Sequence, residues 1–109
     1  MNGSKVGEKL REYAQSGVSF SKHAEIRMKQ RNIDAQLVEN HLKNPETLKL
    51  AEKLPSQEGE EKYKLWFVPS KRTAYIYVIV LKETSHNITV VTAARQKLAW
   101  QKKVQKHAR

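Results

Sequence analysis

The chain has 109 residues, enough for one domain with a buried core, and carries 21 lysines and arginines against 11 acidic residues, a net charge of +10 with a pI near 9.9. It has no cysteine, which excludes disulfides, thiolate metal sites and thiol nucleophiles. No apolar run approaches the roughly 20 residues that span a bilayer, no apolar signal core follows Met1-Asn2-Gly3-Ser4-Lys5, and so large a basic surplus favours a polyanionic partner.

Val6, Leu10, Tyr13 and Ala14 recur at helical spacing and stop at Ser16-Gly17, which predicts a short first helix over residues 1–17, an N-terminal extension. Ser21 is placed to cap a second helix ending near Arg31, with Asn32 as its C-terminal residue. Asp34 caps a third, carrying Leu37, Val38, His41 and Leu42 and closed by Asn44-Pro45. The period then changes. Thr47 to Leu54 alternates loosely and reads as a strand, followed by a Pro55–Gly59 turn. Tyr63 to Val68 is a second strand, with Tyr63, Leu65 and Phe67 on one face. After Pro69-Ser70-Lys71, residues Thr73 to Leu81 form the most apolar segment, hydrophobic on both faces and therefore central. Ile88 to Thr92 is the last strand, and Ala94 to about His107 is predicted helical, with Leu98, Trp100 and Val104 in a weak apolar pattern. The expectation is a single α+β domain: helices packed on an antiparallel meander of about four strands, one sheet face left partly open, with residues 95–109 a basic C-terminal helix or tail.

The second helix spaces His23, Arg27 and Arg31 four residues apart. At 100° per residue they fall about 40° apart, one stripe of a titratable imidazole and two fixed guanidiniums. Ala24 and Met28 are the residues that can seat this helix, so the arginines flank its packing seam while Lys22, Glu25 and Lys29 lie on the far side. An arginine in such a place either pairs with a carboxylate, here Glu39, Glu46 or Glu52, or lines a cleft that takes a phosphate in paired hydrogen bonds. Metal-free RNA cleavage needs a base, an acid and fixed cations for the phosphorane charge; His23 can serve as acid or base, Arg27 and Arg31 as cations.

That stripe sits in Phe20-Ser-Lys-His23-Ala-Glu-Ile-Arg27-Met-Lys-Gln-Arg31-Asn-Ile33-Asp, followed by Val38, Leu42, Asn44-Pro45 and an Ile88–Thr92 strand. From Phe20 to Arg95 the chain resembles the small uncharacterised domains grouped near the BrnT and RelE-like ribonuclease toxins. The resemblance implies a RelE/BrnT-like ribonuclease-toxin fold whose cleft lies on the sheet beside the histidine helix. It also implies RNA as substrate and a neutralising antitoxin as partner.

The remaining residues divide between packing and binding. Tyr75 and Tyr77 share one strand face, where they can stack bases or orient a phosphate, or simply pack under a helix. Thr92 and Arg95 close the last strand and are candidate phosphate contacts. Lys64, Lys97, Lys102 and Lys103 join the candidate nucleic-acid surface, and the basic end from Arg95 onward reads either as such a contact or as a solvated tail. His41 falls on an apolar side as a satisfied semi-buried imidazole, His86 sits in an exposed turn, and Trp66 and Trp100 read as core or edge packing. Among His23, His41, His86 and His107 none has a second ligand at close spacing, and there is no glycine-rich phosphate loop, so neither metal nor cofactor is expected. The expected protein is a cytoplasmic RNA-binding, metal-independent RNA-cleaving domain with His23, Arg27, Arg31, Tyr75 and Thr92 as catalytic candidates and no membrane contact. The rival readings are a non-catalytic nucleic-acid-binding module and an accessory protein that docks an acidic antitoxin through its basic tail. The oligomeric state is left open.

Overall fold

The computed structural model describes residues 3–97. Its elements in chain order are α1 (Gly3–Ser16), β1 (Val18–Phe20), α2 (Lys22–Arg31), α3 (Ala35–Lys43), a single 3-10 turn (Pro45–Thr47), β2 (Leu48–Leu54), β3 (Glu60–Ser70), β4 (Thr73–Lys82) and β5 (Asn87–Lys97). Local chemistry accounts for the helix bounds. Ser21 Oγ accepts from the Ala24 N–H at 3.0 Å, and Asp34 Oδ1 accepts from the Gln36 N–H at 3.1 Å, each satisfying a donor with no partner inside its helix. Asn32 ends α2 in the left-handed region (φ 57°), and the next N–H, that of Ile33, donates to the Met28 carbonyl at 2.8 Å, a closed C-terminal turn.

The sheet has five strands in the order β1-β5-β4-β3-β2. Strands β2 to β5 are the expected antiparallel meander, with β4 in the middle. The addition is β1, which pairs parallel to the outer edge of β5 and makes the sheet mixed. Three residues are too few to show a period, so β1 had no signal of its own. Gly17 makes it reachable. Its φ of 138° is a backbone state that a Cβ disfavours, and its carbonyl accepts from the Ile88 N–H at 3.2 Å.

Along β5 the pairing slips once. Val90 faces Ile79 and Thr92 faces Val78, leaving Val91 as an unpaired extra residue, a β-bulge. Because side chains alternate with period two, one extra residue exchanges the two faces beyond it. Ile88 and Val90 point to the helices before the bulge, and Ala93 and Arg95 do so after it.

The helix-covered face holds the core. Leu65, Phe67, Tyr77, Ile79, Ile88 and Val90 are fully buried, under Leu10 and Ala14 of α1, Ala24 and Met28 of α2, and Val38 and Leu42 of α3. Removing side chains the size of Leu42 or Phe67 from water contributes roughly 1.5–3 kcal/mol each. One sequence expectation changes at the end of β5. Residues 94–97 are strand, not the start of a helix: Ala94, Arg95, Gln96 and Lys97 go on pairing with Ile76, Tyr75, Ala74 and Thr73. A β4 partner as far as Thr73 supplies a ladder that outweighs the helix propensity of Ala94-Arg95-Gln96-Lys97. The remainder of the predicted C-terminal helix, with Trp100, Lys102 and Lys103, lies outside the described residues. No helix among the described residues is long and apolar enough to cross a membrane.

Candidate functional site

Helix α2 lies against β5 and is fastened to it at both ends. At its start Ser21 does three things: its N–H donates to the Val90 carbonyl at 2.9 Å, its hydroxyl donates to the Val91 carbonyl at 3.1 Å, and the same oxygen caps the helix. The second of these bonds takes up the carbonyl that the bulge leaves without a ladder partner. At the other end the Arg31 guanidinium donates to the Ala93 carbonyl at 2.7 Å, and the Arg95 guanidinium donates to the Arg31 carbonyl at 3.3 Å. Beyond Phe20 strand β1 has ended, so the β5 edge would expose these acceptors. Ser21 and Arg31 satisfy them instead.

This arrangement sets aside one of the two partners the sequence left open for the arginines, the carboxylates. Among the described residues no carboxylate forms an ion pair with Arg27, Arg31 or Arg95. Glu39 pairs with Lys43 at 3.8 Å, Glu61 with Lys9 at 2.8 Å, and Glu12 with His86 at 3.0 Å. The Lys9–Glu61 bond raises the lysine pKa and lowers that of the carboxyl. Arg31 and Arg95 bond to backbone oxygens, and Arg27 has no side-chain hydrogen bond among the described residues. A guanidinium has five N–H donors, so Arg31 and Arg95, both exposed, and Arg27, half-buried, keep donors and full charge available. His23 is also exposed and has no hydrogen-bond partner among the described side chains.

The stripe is extended rather than convergent. At 1.5 Å per residue His23 stands about 6 Å from Arg27 and about 12 Å from Arg31 along the axis. Arg95 joins the Arg31 end, and Tyr75, half-buried, is its cross-strand neighbour on the same face. Arg31, Arg95 and Tyr75 are thus brought together, Arg27 lies between, and His23 stands alone at the bulge end. Lys97, exposed, continues the Arg95 face at the strand's end.

Three sequence candidates leave the site. Thr92 pairs with Val78, and Lys64 pairs with Val78 from the other side, so both lie on the sheet face away from α2. For Thr92 the Val91 bulge is the cause. Tyr77 is fully buried; its hydroxyl shares a 2.7 Å hydrogen bond with His41 Nδ1, and burial, then the neighbouring Tyr75, raises its pKa far above the usual tyrosine range. His41 is the satisfied imidazole expected. It stacks on Phe67 with centroids 5.1 Å apart, and burial lowers its pKa, so it stays neutral. His86 differs from the exposed turn residue expected: it is half-buried, stacked on Tyr13 at 4.0 Å. Trp66 is not core; it lies half-exposed on the uncovered face. Sequence reasoning missed the bolting role of Ser21, for which the cap signal alone was visible.

A separate groove runs between α2 and the start of α3, lined by Lys22, Glu25, Ile26, Met28, Lys29 and Ile33. It lies on the opposite flank of α2 from the stripe. Only the stripe aligns a histidine with two arginines and brings Arg95 beside them, so the stripe carries the functional argument. Among the described residues no group of His, Asp and Glu is placed to hold a metal.

No curated protein and no solved structure matches the chain. A family model matches residues 20–96, from the end of β1 through α2 to the Arg95 end of β5, so the whole stripe falls inside it. By that match the chain belongs to the family described as a domain of unknown function, DUF4258.

Proposed function

We propose that this domain binds RNA along the α2–β5 seam, with Arg27, Arg31 and Arg95 on backbone phosphates and Lys97 extending the track. The observation that carries the reading is the pairing pattern: Lys9 and Lys43 take carboxylates, Arg31 and Arg95 take backbone carbonyls, and none of Arg27, Arg31 and Arg95 pairs with a carboxylate among the described residues, so all three keep their charge for an outside anion. Arg27 and Arg31, about 6 Å apart along α2, with Arg95 on β5 at the Arg31 end, suit several phosphates of an extended strand rather than one phosphate clamped from all sides. Tyr75 beside Arg95 offers a ring edge to a base or sugar.

A cleavage activity belongs to the same proposal at the other end of the seam. His23, exposed and beside Arg27, is the acid–base group, and Arg27 is the cation for the phosphorane. Attack by the 2′-OH then leaves a 2′,3′-cyclic phosphate and a 5′-OH. Support for a toxin-like assignment, and for an acidic antitoxin that would neutralise the domain by covering the arginines, is the residue pattern on α2 alone. The experiment is incubation of single-stranded RNA with the full chain in EDTA, alongside binding to its 2′-deoxy analogue. Cyclic-phosphate products that vanish in His23→Ala, with analogue binding retained, support the enzyme. Binding without products reduces the proposal to a non-catalytic RNA-binding module, and affinity unchanged in Arg27→Ala/Arg31→Ala/Arg95→Ala refutes the interface itself.

A further inference from the structure

The sheet face turned away from the helices has a composition that the arginine seam does not explain. Register fixes which residues lie there. Central strand β4 contributes Ile76, Val78 and Val80, three successive partly exposed apolar positions on one face with the buried Ala74 at their end, a column about 13 Å long at the usual strand rise. On the β3 side it is bordered by Lys62, Lys64 and Trp66, the partners of Val80, Val78 and Ile76. On the β5 side the border is neutral: Thr89, Thr92 and Ala94. Tyr77 and Ile79 on the other face are fully buried, while Ile76, Val78 and Val80 stay partly exposed and Leu50, opposite Trp66, is 53 % exposed. No described helix packs on this face. Apolar side chains in a row on a sheet face that no helix covers, with Leu50 exposed beside them, are a candidate interaction surface.

Charge selects the occupant. A second copy would set the Lys62–Lys64 border against its own image, and residues 98–109 carry Lys102, Lys103, Lys106 and Arg109 with no acid; both would add cations to cations. RNA would find aliphatic side chains where it needs aromatic platforms, and Lys64 Nζ already lies 5.0 Å from the centre of the Trp66 ring. Neither Lys62 nor Lys64 forms an ion pair among the described residues, although Glu52 is the cross-strand neighbour of Lys64. We propose that the open sheet face is a docking surface for an acidic amphipathic helix of another protein. The helix lays its apolar stripe on the β4 column and its carboxylates over Lys62 and Lys64. The dimensions agree. Alternate residues on a strand stand about 6.7 Å apart, carboxylates at i and i+4 on a helix about 6 Å, and a column of about 13 Å matches about nine residues of helix. The neutral β5 border calls for acids on one flank of that helix only. The site is independent of the RNA seam, which lies on the other side of the sheet.

The test uses the full chain with Trp100→Phe, so that emission at this face reports Trp66, and a fluorescein-labelled 14-residue helical peptide with a leucine stripe and glutamates at i, i+4 along one flank. Saturable binding with a blue shift of Trp66 is expected, weakened about tenfold by Lys62→Glu/Lys64→Glu and restored when the peptide glutamates become lysines. RNA affinity is unchanged with the peptide bound. Affinity indifferent to the charge reversal, or no binding, overturns the proposal. So does dimerisation abolished by Val78→Asp, which assigns the face to a second copy, or a red shift of Trp66 on truncation after Lys97, which assigns it to the chain's own end. Quenching of Trp66 by RNA that persists in the Arg27/Arg31/Arg95 triple alanine variant overturns it in favour of nucleic acid.

Discussion

Replacing Arg27, Arg31 and Arg95 together by alanine removes three of the phosphate contacts proposed for the α2–β5 seam, and the loss has a computable signature. On a single strand each neutralised phosphate contributes roughly 0.7 to the slope of log Kobs against log salt. Three contacts therefore account for a slope of about 2. Between 50 and 200 mM salt the wild-type chain should lose roughly 20-fold in affinity through these contacts alone, a loss the triple variant does not show. The assay is fluorescence anisotropy of a labelled single-stranded RNA at four salt concentrations. Arg31 also satisfies the Ala93 carbonyl, so Arg31→Gln, which keeps a neutral donor, separates lost charge from a loosened helix. It should reproduce the slope change of Arg31→Ala while urea unfolding stays close to wild type. A slope in the triple variant equal to wild type refutes the seam as the phosphate-binding surface, whatever the absolute affinity.

Three further outcomes follow from the core and the seam. His41 is held neutral by burial, its folded pKa below the unfolded value near 6.5; its contribution is therefore complete above that value and lost as pH falls below it, with a slope of at most about 1.4 kcal/mol per pH unit, and His41→Phe should flatten this part of a urea-unfolding profile between pH 7 and 5. Tyr77→Phe keeps the ring but leaves His41 Nδ1 without its 2.7 Å partner, a cost of about 1–3 kcal/mol seen as a thermal midpoint lowered by roughly 4–8 °C for each kcal/mol; an unshifted midpoint contradicts the bond. Ser21→Ala should cost about 1 kcal/mol for the cap and more for the Val91 carbonyl, and in urea titrations Ser21→Thr should recover both parts where Ser21→Asp, which cannot donate, recovers only the cap.

What could be read from the residues was what short-range chemistry determines. Ser21 and Asp34 as caps, Asn32 as the left-handed terminator and the doubly apolar β4 as the central strand all depend on neighbours within a few positions. So does the stripe itself, since helical spacing alone aligns His23, Arg27 and Arg31. Pairings across long separations were not readable. β1 exists because β5 offers it an edge, and residues 94–97 are strand because β4 reaches Thr73. Nothing in the β-branched run Ile88–Thr92 marks Val91 as the position where one residue is inserted. Thr92 and Arg95, three residues apart, face opposite ways on any regular strand, and that single insertion decides which of them meets the helix, sending Thr92 to the open face and Arg95 to α2.

The same bulge gives the arginine seam its chemical character. Were the pairing to run on without the slip, Arg95 would fall on the open face opposite Ala74, and the Arg31 carbonyl would lose its donor. With it, Val91, Ala93 and Arg95 each meet a partner from the α2 region: the Ser21 hydroxyl, the Arg31 guanidinium and the Arg31 carbonyl. An arginine free in solvent gives up considerable side-chain entropy when it takes a phosphate. Arg31 has already given up part of it to a backbone carbonyl that carries no charge to neutralise it, and the cost of binding falls accordingly. A carboxylate in place of the Ala93 carbonyl would have fixed the side chain equally well and cancelled its field. Fastening α2 through backbone oxygens orders the guanidiniums and leaves their charge intact, and on a chain of net charge +10 that combination is what the proposed binding of a polyanion at this edge of the sheet draws on.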